Sequence, residues 1–319
     1  MRGRVRLVIG LALSAGLLWL ALRGVDWRES AAAFRGADLG LLLLALVAQA
    51  STFALGALRW RALYPGRPAP GLGRLTAALL AGQLVNVASP VRLGPLVRAY
   101  LAGDERAGRA LALATVIGEK VIDLAVLAVG GLWLITLLPV PAWLRQAALA
   151  GGGAAALAVV VVVSVAGGRR WLVAMVARVS RPVAGLSEAA LASLDVWRRP
   201  GRLAAVLLWT ACIWGAAAGV NWLVLQALGL AGGVAAAAAL LVLLQLGVRV
   251  PGVPANLGIF ESLCIFGLGW FGVEAGAALS YGLALHAVVL LPGLVGGALA
   301  VWRVTPGWGA LREAVEVGG

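Results

Sequence analysis

The chain has 319 residues, of which 62% are hydrophobic and only 12% charged, and its formal net charge is +13. That composition excludes a water-soluble fold of ordinary kind. Apolar runs recur along the whole length, so residues 1–319 are read as a single integral membrane domain. The positive charge is almost all arginine, Lys120 being the only lysine. These arginines flank apolar runs, which assigns them to the cytoplasmic membrane face and its anionic headgroups rather than to nucleic acid.

Residues 1–22 carry Arg2, Arg4 and Arg6 ahead of an apolar stretch that superficially resembles a secretory signal. No small-x-small cleavage site follows, so a retained helix is expected near 5–22. The next span is expected near 39–59. A first broken segment lies at about 75–101 and reads Asn86-Val87-Ala88-Ser89-Pro90-Val91-Arg92-Leu93-Gly94-Pro95-Leu96-Val97-Arg98 at its turn. Its second arm is too short and too charged to cross a bilayer, which fits a re-entrant hairpin. Spans near 110–138 and 144–166 follow, then a polar stretch at 167–202 read as a cytoplasmic loop. Within it, 187–197 fits either an interfacial helix or a solvated connector. A span near 203–229 leads to a second broken segment at about 234–272, with Arg249-Val250-Pro251-Gly252-Val253-Pro254-Ala255-Asn256-Leu257-Gly258-Ile259-Phe260-Glu261 at its centre. A final span is expected near 276–302. The expected fold class is therefore all-α: a polytopic bundle of about six spanning helices and two broken or re-entrant hairpins, with six to eight crossings.

Short arginine-rich loops stay in the cytoplasm. The 59–74 loop, with Arg59, Arg61, Arg67 and Arg74, and the 167–202 loop are placed there, together with both termini. The 23–38 loop dissents mildly, since it holds arginines outside beside Asp26, Glu29 and Asp38. This orientation makes the first hairpin enter from the cytoplasm and the second from outside. An inverted-topology repeat would produce that, with the two breaks meeting near the midplane.

Lipid cannot satisfy broken backbone, so non-helical chain at membrane depth must be lined by protein or a water-filled cavity. Ionisable groups there cost about 2.5–3.5 kcal/mol each on insertion scales and need a partner or a function. The candidates are Arg92, Arg98, Glu119, Lys120, Asp123, Arg249, Glu261 and His286, joined by Asn86 and Asn256 at the breaks. Glu119 and Asp123 share a helical face, and Lys120 is spaced to pair with Asp123. The arginine fork suits phosphate, so Arg92 and Arg98 beside the first break are expected to receive a lipid phosphate. The same acids and arginines also fit a salt-bridged cluster that pins the hairpin to the next helix. Glu261 fits a helix cap or a proton- or headgroup-binding acid, and His286 a packing residue or a titrating one. Either asparagine can serve the broken backbone or a polar head.

Cys212 and Cys264, far apart in apolar runs, are read as packing residues. The spacings Gly215–Gly219 and Gly293–Gly297 permit close helix approach, as internal faces or in a homo-oligomer. No phosphate loop, metal-ligand motif or nucleophile elbow occurs in the sequence, so no cofactor or metal is expected.

At these residues the chain resembles the flippase-like membrane family that includes the transmembrane part of lysylphosphatidylglycerol synthases. The resemblance rests on Asn86…Pro90-Val91-Arg92-Leu93-Gly94…Arg98, on Thr115-Val116-Ile117-Gly118-Glu119-Lys120-Val121-Ile122-Asp123, and on Pro251…Pro254-Ala255-Asn256-Leu257-Gly258-Ile259-Phe260-Glu261, in that order over about 35–303. The family pattern usually has an acid after the first glycine, where this chain has Pro95, and Arg where it has Lys120. No aminoacyl-transferring domain accompanies the membrane region here. The resemblance therefore implies binding or moving a membrane lipid with an anionic or lipid-linked head. Beside that leading translocase function stand two others: an enzyme or accessory subunit acting on lipid-linked sugars through Glu119 or Glu261, and a small-solute transporter of the broken-helix type.

Overall fold

A computed structural model describes residues 34–66, 69–89, 92–104, 106–137, 140–179, 187–188, 191–247 and 254–304. The helix expected near 5–22, both chain ends, and Arg249 with Pro251 and Gly252 lie outside the described residues.

Among the described residues every regular element is helical, as expected. The helices are α1 (Leu39–Ala62), α2 (Leu72–Ala88), α3 (Gly94–Ala102), α4 (Arg106–Leu137), α5 (Ala142–Val179), α6 (Pro200–Ala227), α7 (Gly233–Gly247), α8 (Ile259–Gly269) and α9 (Ala275–Val304), with 3₁₀ turns at Ser193–Arg198 and Pro254–Asn256. Leu39–Ala62, Leu144–Val162, Pro200–Ala227 and Ala275–Arg303 are long and apolar enough to cross a membrane. The chain is a multi-pass membrane protein. At 32 residues, α4 also has the length, about 48 Å, but carries three charged residues at mid-helix.

Local chemistry sets the boundaries. Asp38 caps α1 by accepting from the Leu41 N–H at 3.1 Å. Ser89 is extended at φ −110°, ψ 133°, and ends α2, as a residue preceding proline tends to do. Pro95 and Pro200 sit in the first turns of α3 and α6, where a missing N–H costs nothing.

The order long, short, short, long occurs twice, as α1–α4 and as α6–α9. α1 and α6 lie antiparallel and are joined at both ends. The Asp38 N–H donates to the Ala227 carbonyl at 2.8 Å, and the Arg202 guanidinium donates to the Tyr64 carbonyl at 2.8 Å. The α2/α3 hairpin follows the Tyr64 end, its base closed by Arg74 Nε donating to the Leu101 carbonyl at 2.7 Å. The α7/α8 hairpin follows the Ala227 end, where Leu230, Phe271 and Val273 cover the core. The two hairpins thus enter from opposite ends, as an inverted repeat requires, and their tips touch: Arg92 Nη2 donates to Asn256 Oδ1 at 3.1 Å.

Two apolar clusters close the two ends. Trp60, Leu63, Leu75, Val116 and Val206 form one; Val224, Leu240, Phe260, Tyr281 and Leu285 belong to the other. The polar residues of the breaks lie between them.

Several expectations are corrected. The stretch expected as a loop from 167 is helical to Val179, because leaving the apolar run removes no helix-forming tendency and the next proline is Pro182. Residues 193–198 form a 3₁₀ turn whose Val196 is buried among Trp60 and Val206, so this part packs on the bundle and is not simply a solvated connector. A Cβ added at Gly215 or Gly219 would meet nothing within 4 Å, so these two are not an internal packing face. Gly293, Gly296 and Gly297 are one: Cβ atoms there would press on Gln83, Leu80 and Leu84 of α2.

Candidate functional site

Glu119 sits at mid-length on α4, 4% exposed, between two arginines from different elements. Arg98 of α3 grips it with both fork nitrogens, Nη2 to Oε2 at 2.7 Å and Nη1 to Oε1 at 3.2 Å. Arg59 Nη2 lies 3.0 Å from Oε1, and Arg59 Nη1 donates to Asp123 Oδ1 at 2.7 Å. The carboxylates share a face, as their spacing requires, and one guanidinium bridges them. Lys120 adds a looser contact, 3.6 Å from Asp123 Oδ2. The Arg98 guanidinium also lies 4.4 Å over the Trp60 ring, and Trp60 Nε1 is fixed by donating to Thr115 Oγ1 at 2.8 Å. Each buried charge has a partner, without which burial would be prohibitive.

The tip of the first hairpin is stitched by Asn86, whose Oδ1 accepts from the Gly94 N–H at 2.8 Å. Gly94 is required there: a Cβ would fall 2.5 Å from the Asn86 amide and from the Gly82 carbonyl. Asn86 therefore serves the backbone while its helix borders the cavity.

At the second tip, Ala255 and Asn256 adopt φ 54° and φ 57°. The left-handed conformation costs a non-glycine residue about 1–2 kcal/mol, so surrounding bonds must hold it. His286 Nε2 lies 2.9 Å from the Ala255 carbonyl and Nδ1 lies 2.6 Å from Glu261 Oε1. Glu261 Oε2 accepts from the Gly258 N–H at 2.7 Å, capping α8. The Phe260 ring stacks on His286 with centroids 4.3 Å apart.

Between the tips lies a cavity of about 510 Å³. Its charged lining is Arg59, Arg92, Lys120 and Asp123; Asn86, Gln83, Gln245 and Asn256 supply amides, His286 an imidazole, and Trp214 and Phe260 apolar walls. A smaller pocket of about 210 Å³ adjoins it at Arg59 and Gln83 and continues along α1 past Gln49 and Thr52.

Of the residues expected to form the site, Asn86, Arg92, Lys120, Asp123, Asn256 and His286 line this cavity. Glu119 borders the smaller pocket. Arg98 and Glu261 stand behind the wall, each through a partner, and Arg249 lies outside the described residues. Arg92 and Arg98 do not act side by side: the Arg98 fork is already filled by Glu119. Arg59, expected in a cytoplasmic loop, is 5% exposed and central to the site, because α1 continues to Ala62. Its sequence signal was the imbalance of two carboxylates on α4 against one adjacent lysine. Gln83 and Gln245 were missed because an isolated glutamine in an apolar run carries no pattern.

The family model described as the lysylphosphatidylglycerol synthase TM region matches residues 7–297. The chain belongs to this family. The match runs through both hairpins and the α4 charge cluster, so the shared region is the membrane bundle itself. No curated protein matches the chain.

Proposed function

We propose that this member of the lysylphosphatidylglycerol synthase TM-region family is a lipid translocase, whose cavity receives the phosphate-bearing head of a phospholipid or polyprenyl-linked lipid while the chains stay in the bilayer. The observation that carries this reading is the cavity's charge: Arg59, Arg92 and Lys120 against the single carboxylate of Asp123, in a space of about 510 Å³ where two broken hairpins meet. That size is ordinary for a small-molecule site, and the excess positive charge with amide donors suits a phosphate. Neither Glu119 nor Glu261 is placed as a general acid or base, since neither lines this cavity and both oxygens of each are engaged. This favours movement over chemistry.

Reconstituted protein is expected to move a labelled anionic phospholipid between leaflets without changing its mass. Arg92→Gln and Lys120→Gln should each weaken binding roughly 10–100-fold, the loss of one charge-assisted hydrogen bond of about 1.5–3 kcal/mol, with the protein still folded. Arg92→Lys should restore binding only in part, because the fork is lost. Unchanged affinity in the folded double variant would refute the phosphate site, a lipid of altered mass would establish an enzyme, and uptake of a soluble anion without lipid movement would establish a solute carrier.

The reading places the protein in the bacterial cytoplasmic membrane with both termini and the 167–202 stretch inside, from the distribution of short-loop arginines. Glu188 is exposed. A cysteine replacing it is expected to react with an impermeant maleimide only after cells are opened; labelling in intact cells reverses the orientation.

A further inference from the structure

We propose that Glu261 and His286 form a one-proton latch that holds the tip of the second hairpin against the cavity, and that loss of this proton releases it. The Ala255 carbonyl can only accept, so the 2.9 Å contact requires a hydrogen on His286 Nε2. The 2.6 Å contact between Nδ1 and Glu261 Oε1 requires one more. That second hydrogen resides either on the imidazole, beside an anionic carboxylate, or on the carboxyl group, beside a neutral imidazole. In both forms the pair is neutral overall and both contacts are made.

Removing that proton leaves one hydrogen for two contacts. Either Nδ1 then faces Oε1 lone pair to lone pair, or Nε2 faces the Ala255 carbonyl in the same way. The second outcome frees Ala255, which has a strained left-handed backbone at φ 54°, and with it Asn256, whose side chain holds Arg92 of the other hairpin at 3.1 Å. The first loosens Glu261 and the Gly258 N–H it caps at 2.7 Å. Each weakens the tip-to-tip bond between Asn256 and Arg92, at a wall of the cavity that His286 itself lines.

The surroundings make the pair the local titrating unit. Cys264 on α8 and Tyr281 on α9 are fully buried beside it, α7 contributes no charged residue among 233–247, and the charges facing it across the cavity are Arg59, Arg92, Lys120 and Asp123. His286 lines the cavity while Glu261 is buried behind it, so the cavity offers the proton a path to water at the place where the lipid head would bind. Insofar as the cavity is a lipid passage, an anionic phosphate there opposes loss of the proton, since the deprotonated pair is itself an anion, so headgroup binding and proton retention are linked.

The test follows the tip and not the lipid. Leu257, beside the tip, is 55% exposed; Leu257→Cys is spin-labelled in full-length protein with Cys212→Ala, while Cys264 stays unreactive in the core. The label's line shape is recorded from about pH 5 to about pH 10, either side of the histidine range. The parent is expected to pass reversibly from an immobile to a mobile spectrum as pH rises. Glu261→Gln offers its amide N–H to the lone pair of a neutral Nδ1 and its carbonyl to the Gly258 N–H, keeping every bond when the imidazole is neutral, so its spectrum does not become mobile as pH rises through and above the histidine range. His286→Phe, which can hold neither contact, stays mobile throughout. A pH-independent parent, or a transition retained in either variant, overturns the latch. Because no lipid enters the measurement, a titrating latch in a protein that moves no lipid would refute translocation alone, and a flat profile in an active translocase would refute the latch alone.

Discussion

Glu119→Ala is expected to destabilise the protein by about 3–5 kcal/mol, the cost of leaving a buried charge without its partner. Here two such charges lose their partner together. Arg98 is 7% exposed and keeps only the face of Trp60, and Arg59 keeps Asp123 at 2.7 Å but loses the contact at 3.0 Å. Against a total stability of about 5–15 kcal/mol, that loss is visible as a fall of many degrees in the unfolding temperature. Reaction of a thiol-sensitive dye with Cys264, 0% exposed in the folded state, follows it directly in detergent. Glu119→Gln retains the shape and the acceptor oxygen and should lose less. Combining Glu119→Leu with Arg98→Met should recover part of the loss, since an apolar substitute for a buried pair is often neutral or better. A loss below about 1 kcal/mol for Glu119→Ala, the worth of a surface pair, would mean the cluster is solvated and not structural. Asp123→Asn makes the useful contrast. Asp123 lines the cavity and keeps 15% of its side chain exposed, so its replacement should change headgroup binding more than stability.

Gly94→Ala is the second large effect. The added methyl would lie 2.5 Å from both polar atoms of the Asn86 amide and 2.5 Å from the Gly82 carbonyl. Two of these atoms cannot simply swing aside: the carbonyl belongs to α2, and the Asn86 oxygen holds the Gly94 N–H. Overpacking of this kind costs about 1–3 kcal/mol, and breaking the Asn86 bond would leave a half-buried donor unsatisfied at about 1–3 kcal/mol more. The hairpin arms should part at their tip, lowering the unfolding temperature and, because Arg92 is two residues away, abolishing lipid binding together with it. Gly215→Ala, where the added methyl meets open space, should leave both unchanged. A Gly94→Ala protein with normal stability would show that α2 and α3 are not closely apposed.

Much of this was legible in the chain. The apolar runs at 39–59, 203–229 and 276–302 announced α1, α6 and α9 to within about three residues, because a spanning helix must satisfy its own backbone and contain few charges. The two breaks announced themselves through Pro90, Pro95, Pro254 and Gly258, residues that cannot continue a helix or that allow it to restart. Glu119 and Asp123 could be placed on one face from their spacing alone. The family likewise followed from the order of three motifs, and the match over 7–297 agrees with it.

What remained was a matter of which side chain reaches which. Arg59 looks like a loop arginine in one dimension, since it follows an apolar run and precedes Arg61; only the packing of α1 against α4 turns it inward to two carboxylates. Arg92 and Arg98 look alike in the sequence, six residues apart beside the same break. The short helix α3 points Arg98 to Glu119 and Trp60, while Arg92, just before that helix, is left at the tip to meet Asn256. The sequence by itself determined a membrane bundle with two interrupted hairpins and a short roster of intramembrane charges, because burial in lipid restricts composition and helix breaking residue by residue. Only the tertiary structure decided that Arg92 of one tip meets Asn256 of the other across 164 residues of chain, and that Glu261 and His286 lie within hydrogen-bond distance, because contacts between distant segments depend on how helices pack and leave no period or motif along the chain.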